Sequence, residues 1–295
     1  SVPGPHDPGE LRPAAPARRP ESARSRDGAG HGSSGPSGDE LEAIERHLAS
    51  LPIHAGGRVL QDAALGVLLV RAESPGQGLD YAAAVRWPEA EWQARLAAVE
   101  GRARDDGTWP SLLLAEGLTR PADLPGRLVQ AGWIEFGRET ALWARRPVAV
   151  PHLDPQLRLE AGTARSAAAY EELERAIFGL PAWGAAARVR GLTSGFSDGS
   201  LRAFLVRSGG VAVAVARLSV LDGSAGLYGI GVAPERRREG LGGFITAVAM
   251  RAALARGSSL VWLSVEDGNT AARSLYERLG FRAAFRWSRW MAPRP

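Results

Sequence analysis

The sequence has 295 residues, 45% of them hydrophobic, enough for two cores of ordinary size. It contains no cysteine and no lysine. Disulfides, thiolate metal sites and a covalent cysteine intermediate are therefore excluded, and all 36 basic residues are arginines. The formal net charge is +4, but residues 156–295 hold 19 arginines against 11 acids, a local net of +8. These arginines are scattered and no nucleic-acid motif accompanies them, which argues against nucleic acid and leaves a small polyanion as the partner the charge suits. No apolar run reaches 18 residues, and the first 40 residues lack the basic-then-apolar pattern of a secretory signal. The expectation is a cytoplasmic protein that does not meet the membrane and holds no metal.

Residues 1–38 are Pro, Gly, Ser, Ala, Arg and His with almost no bulky apolar side chain, so they read as a disordered tail. A helix is predicted from Ser37–Asp39 onwards, with Leu41, Ile44, His47 and Leu48 at helical spacing. Strands follow at Gly66–Val70 and Tyr81–Val85, then a helix from Pro88 to about Arg102 and a buried strand at Ser111–Ala115. A helix from Pro121 is stopped by Gly132, and a strand takes in Trp133–Phe136 and Thr140–Trp143. Three prolines in Pro147–Pro155 mark a linker.

The second half reads as a strand at Leu157–Leu159, a helix at Arg165–Phe178 and a short helix after Pro181. A hairpin of Leu201–Val206 and Val211–Val220 turns at Ser208-Gly209-Gly210. Strand Gly226–Val232 runs into Pro234, followed by a helix at Gly242–Ala255, a buried strand at Leu260–Val265, a helix at Thr270–Leu279 and a last strand or hairpin at Phe281–Met291. This order specifies an α+β or mixed α/β sheet. Gly132-Trp133 and Gly280-Phe281 both close a helix and open a strand, 148 residues apart, as two tandem copies of one fold would.

The chemistry gathers in Gly231-Val232-Ala233-Pro234-Glu235-Arg236-Arg237-Arg238-Glu239-Gly240-Leu241-Gly242-Gly243. A strand ends, proline stops it, and glycines open a helix whose unpaired N–H groups and positive dipole end suit phosphate. Further on, Asn269, Ala272 and Tyr276 are spaced to share one helix face.

The two segments resemble the signatures of the GNAT acyltransferase superfamily. Arg237-x-x-Gly240-x-Gly242 matches the acyl-CoA signature Gln/Arg-x-x-Gly-x-Gly/Ala, and Asn269 to Phe281 looks like Asn-x-x-Ala-x-x-x-Tyr-x-x-x-Gly-Phe. The resemblance covers residues 156–295 and implies the GNAT fold, with acetyl-CoA as acyl donor and an amine of a small molecule or peptide as acceptor, joined by direct attack in a ternary complex. It implies that Val232, Arg237, Arg238, Gly240, Leu241, Gly242 and Gly243 bind the cofactor, the backbone N–H groups of Arg238 to Gly243 holding its pyrophosphate. It implies that Asn269, Ala272 and Tyr276 meet the pantetheine, with the Tyr276 hydroxyl beside the sulfur. Tyr276 is then either the acid that protonates the leaving thiolate or a core aromatic.

The base is the departure from the pattern. The strand Leu227–Gly231 carries no carboxylate where many members keep a glutamate, and all five histidines precede the domain. A water relay, Glu266 or Asp222 remain, and Glu266 is the residue chosen. In the first half Leu128 stands in the place of Tyr276 and Pro121 in that of Asn269, with no glycine loop before Ser111. Residues 39–147 therefore read as a degenerate copy that completes the acceptor cleft or forms a dimer surface, a homodimer being one arrangement this allows. Residues 148–155 are the linker and 156–295 the catalytic domain. Acceptor choice falls to Phe178–Phe196, whose apolar and aromatic residues suit a small, partly apolar amine. The competing class is a CoA-binding sensor or scaffold without turnover.

Overall fold

The computed structural model describes residues 35–50, 57–72 and 80–293. The tail expected over residues 1–38 thus lies, apart from its last four residues, outside the described residues. The first half runs α1 (Gly38–Ala49), β1 (Arg58–Asp62), β2 (Val67–Arg71), β3 (Tyr81–Ala83), α2 (Trp92–Asp105), β4 (Ser111–Ala115), α3 (Leu124–Gln130) and β5 (Ile134–Ala144). The second runs β6 (Leu157–Ala161), α4 (Ala167–Phe178), α5 (Ala185–Asp198), β7 (Arg202–Ser208), β8 (Val211–Leu221), β9 (Ser224–Val232), α6 (Leu241–Leu254), β10 (Leu260–Glu266), α7 (Thr270–Arg278) and β11 (Arg282–Met291).

Local signals explain most boundaries. Ser37 and Glu40 form a reciprocal capping box at the start of α1. Gly132 and Gly280, after α3 and α7, both take positive φ (81° and 84°) and release the chain into a strand. Two elements depart from expectation. β1 escapes the sequence pattern, because it is a mostly exposed edge strand whose polar residues need no buried face. The short helix after Pro181 becomes the 14-residue α5. Of the two alternatives left open for Phe281–Met291, the structure shows the single strand, from Arg282.

All eleven strands join one sheet in the order β1-β2-β3-β4-β11-β5-β10-β9-β8-β7-β6. Pairing is antiparallel except at β3–β4 and β9–β10. The two closing strands are exchanged. β5 of the first half lies against β10 of the second, and β11 of the second lies against β4 of the first, with β5 and β11 paired at the centre. Glu139 and Trp287, 148 residues apart, face each other in that central pair. A local two-fold therefore passes through them, at the spacing of the repeat.

Side chains alternate across the sheet as strand geometry requires. On one face Leu142, Val261 and Leu263 pack under Phe244, Ile245 and Met250 of α6. Each such buried apolar side chain contributes about 1.5–3 kcal/mol. On the other face Trp143 and Trp262 pack under Ile44 and Leu48 of α1. The linker carries no helix or strand, yet Val148, Val150 and Leu153 lie against the α6-side core.

Candidate active site

β9 and β10 pair only where Ser224–Leu227 faces Leu260–Leu263. β9 then continues to Val232 and β10 to Glu266, so the two strands diverge. A bulge assists: the β8–β9 register slips between Arg217–Tyr228 and Val215–Gly231, leaving Gly229 and Ile230 opposite a single residue. Gly229 has φ +53°, and a Cβ there would stand 2.5 Å from Glu174 Oε1. Only glycine allows both the turn and the approach of that carboxylate. A cavity of about 430 Å³ fills the wedge, lined by Tyr228–Ile230, Ser264–Glu266, Asn269, Ala272, Tyr276 and, from the first half, Glu139.

The loop after β9 makes a 3-10 turn at Pro234–Arg236 and enters α6 through Gly240, whose φ of +81° is left-handed. A Cβ at Gly240 would meet nothing within 4 Å, so the dihedral angle is what asks for glycine here. No side chain caps α6. Its first N–H groups and the positive dipole end therefore remain available to an anion. Arg236 is tied to Glu239 at 2.8 Å, and Arg237 reaches the Val232 carbonyl at 3.4 Å. Arg238, with φ +66°, is exposed beside them. Gly242 and Gly243 have a second reason to be glycine: a Cβ would stand 3.3 and 3.4 Å from Leu275, so their absent side chains seat α7 against α6. Leu241 turns its side chain into the core, and only its backbone is placed to meet a ligand.

In α7, Asn269 spends its side chain on the helix itself, accepting the Ala272 N–H at 3.1 Å as N-cap. It still lines the cavity together with Ala272 and Tyr276. Tyr276 is buried, its ring edge-on to Phe281 at 6.1 Å, and burial pushes its phenol up to about 12. A free thiol sits near about 8.5, so phenol and thiol are further apart than their ordinary values suggest. A thiolate forming in the same apolar wedge is desolvated too, which raises its own affinity for the proton.

The carboxylates separate clearly. Glu266 is exposed at the end of β10 and lines the cavity. Asp222 sits in the β8–β9 turn at the opposite end of β9, paired with Arg46 of α1 at 3.3 Å and away from the cavity. Sequence reasoning missed Glu139, which pairs in register with Glu266 and reaches the wedge from β5. Burial pushes its carboxyl above the ordinary range, against a hydrogen bond from Ser264 and the charge of Arg289. One signal was available: Glu139 alternates with Ala141 and Trp143, so it is an acid on the inward face of a strand. Arg217 is similar, a charge inside the apolar β8, where its Nη1 donates to the buried Glu174 at 2.9 Å. The second half has no histidine of its own, but α1 delivers His47 to it. His47 Nε2 lies 2.8 Å from Ser219 Oγ, and Nδ1 accepts the Trp262 indole N–H at 3.1 Å. Among the described residues no group of His, Asp and Glu is arranged to hold a metal ion.

Residues 167–281 match the acetyltransferase (GNAT) family. Among curated proteins, mycothiol acetyltransferase from Thermobispora bispora is 44% identical over 68 residues, 23% of this chain and 22% of that protein. The [ribosomal protein bS18]-alanine N-acetyltransferase of Escherichia coli K12 is 38% identical over 80 residues, 27% of this chain and 53% of that protein. The chain thus spans between about a fifth and a half of the relatives it matches. Among solved structures, a GCN5-related N-acetyltransferase from Kribbella flavida aligns with TM-score 0.66 at 22% identity, covering 86% of this chain and 97% of that one. A tandem GNAT protein from the clavulanic acid biosynthesis pathway aligns with TM-score 0.61 at 17% identity, covering 78% and 79%. At these identities the structural likeness is one of fold. The family match is thus confined to residues 167–281, in the second half of the chain.

Proposed function

We propose that the chain is an N-acetyltransferase that moves the acetyl group of acetyl-CoA to an amine of a small molecule or peptide, by direct attack while both are bound. The observation that carries this reading is the wedge between β9 and β10 opening beside the uncapped start of α6. Backbone N–H groups from Arg238 to Gly243 receive the pyrophosphate, and Arg237 and Arg238 add attraction. The unpaired edges of β9 and β10 offer hydrogen bonds to an extended, amide-bearing chain such as pantetheine, which ends beside Tyr276. Its phenol protonates the departing thiolate.

In this reading residues 39–147 are a copy of the same fold that no longer binds acyl-CoA, residues 148–155 connect, and residues 156–295 carry the reaction. Phe178 and Trp183, both exposed, start the segment that chooses the acceptor and suit a partly apolar amine. The described helices include none long and apolar enough to cross a membrane. Dependence on acetyl-CoA ties the work to the cytoplasm, where that donor is made.

The test measures free CoA over time with a panel of amines, alongside calorimetry of acetyl-CoA binding. Acetyl-CoA binding and amine-dependent CoA release are expected. Binding without release from any amine would make the chain a CoA-binding sensor or scaffold instead.

A further inference from the structure

An amine acceptor is protonated at neutral pH, and β9 supplies no carboxylate to take its proton. The wedge nevertheless contains two, side by side, on strands from different halves of the chain: Glu266 on β10 and Glu139 on β5. They are not equivalent. Glu266 is exposed at the end of β10. The Glu139 side chain is only 17% exposed and is held in place. The Trp287 indole N–H donates to Ser264 Oγ at 2.7 Å, and Ser264, which lines the same cavity, favours the charged form of Glu139. Arg289 Nη2 stands 3.4 Å from Glu139 Oε1, a long contact that favours the anion without closing it into a tight pair.

We propose that Glu139, brought into the second half's cleft on the exchanged strand β5, is the base that takes the proton of the acceptor ammonium. The acceptor class is therefore a primary amine that enters as a cation, between Glu139 and Glu266. This rests on the acetyl-transfer reading above. The first half then has a chemical role, because without β5 the cleft has its acid and its anion site but no buried base.

The ammonium gives one proton to the Glu139 carboxylate, and the freed lone pair forms a C–N bond to the thioester carbonyl. The C–S bond breaks, sulfur leaves with the electron pair and takes the proton of Tyr276. The amine nitrogen sheds its second proton, which restores Tyr276 through water. Glu139 returns its proton to solvent, so an amide, a free thiol and one proton result.

The groups facing Glu139 set where it titrates. Glu266 on β10 opposes its charge, Arg289 on β11 favours it, and Asp267 is occupied by Thr140 and Arg286. Across the cavity stand Arg217, paired with Glu174, and the neutral phenols Tyr81, Tyr228 and Tyr276. Burial outweighs the favourable groups and raises the carboxyl. Turnover should therefore fall as pH drops through that raised value, because only the carboxylate accepts a proton.

The experiment takes pH–rate profiles with the fastest of an alkylamine, an aminosugar, an amino-acid amide and a peptide with a free amino terminus. Glu139→Gln should lower kcat/KM about 100-fold or more and abolish the acid limb, with acetyl-CoA affinity unchanged. Ser264→Ala, which removes the hydroxyl that favours the anion, should move the acid limb to higher pH, and it decides the matter if Glu139→Gln does not fold. Glu139→Gln within threefold of wild type with its acid limb intact, or Ser264→Ala with the limb unmoved, overturns the proposal. If the wild-type chain releases no CoA with any amine, the acetyl-transfer reading falls and takes this one with it. Turnover that survives Glu139→Gln removes only the base.

Discussion

The helices α2 and α6 hold corresponding places, each following the inner strand of its half and each opening without a side-chain cap. Their starts differ in every property an anion would sense. α6 begins with Gly240, Gly242 and Gly243 beside Arg237 and Arg238. α2 begins behind Glu89 and Glu91, with Trp92 as its first residue. In the second half Leu275 of α7 packs onto the two bare glycines. The residue in its place in α3 is Arg127, which lies 5.1 Å from the Trp92 ring and bonds Glu89 and, at 2.9 Å, Asp123. The first half thus fills the space with its own ring, cation and carboxylates where the second half leaves it open. Next to these residues, Leu128 is buried core where Tyr276 reaches a cavity. Two similar frames differ by a handful of side chains at one helix junction.

The largest effect is expected at the pair Tyr276 and Leu128. Tyr276→Phe keeps the ring and should lower kcat by about 10²–10⁴, with acetyl-CoA affinity nearly unmoved. Turnover above a third of wild type, where chemistry limits the rate, would make Tyr276 a packing residue like Leu128 and erase the contrast.

Next comes the dependence of the second half on the first. His47→Ala leaves the buried Trp262 indole N–H without its acceptor and opens a void under the sheet. A loss of about 2–4 kcal/mol follows, a fall of roughly 5–10 °C in melting temperature, within a single transition. A second transition, or an unchanged midpoint, would mean that the halves unfold independently despite their shared strands.

The smallest effect is expected at the start of α2. The double change Glu89→Gln and Glu91→Gln removes exposed charges and should move the melting temperature by no more than about 2 °C. It should create no new acetyl-CoA site, since Trp92 and Arg127 still fill the space. A second site appearing in this variant would show that charge alone separates the two helix starts.

What the sequence disclosed follows a physical rule. Gly240 and the Asn269–Tyr276 face were legible because backbone dihedral angles, helix caps and helical spacing are written within a dozen residues. The strand exchange was not. β5 meets β10, and β11 meets β4, across well over a hundred residues, and every strand looks the same locally whichever neighbour it pairs with. Glu139 was missed for that reason, because its cleft is built by the other half. His47 was recognised as a helix position, but its partners Ser219, Ser224 and Trp262 lie more than 170 residues on.

The proposed function turns the contrast between the halves into one expectation: a single acyl-CoA site per chain, at the start of α6. Calorimetric titration of the full chain with acetyl-CoA tests it, together with Gly240→Asp, in which a β-carbon must adopt a left-handed backbone and a carboxylate faces the pyrophosphate. One acetyl-CoA bound per wild-type chain, and none by a folded Gly240→Asp chain, is the expected outcome. Two per wild-type chain, or wild-type affinity in the variant, would refute it.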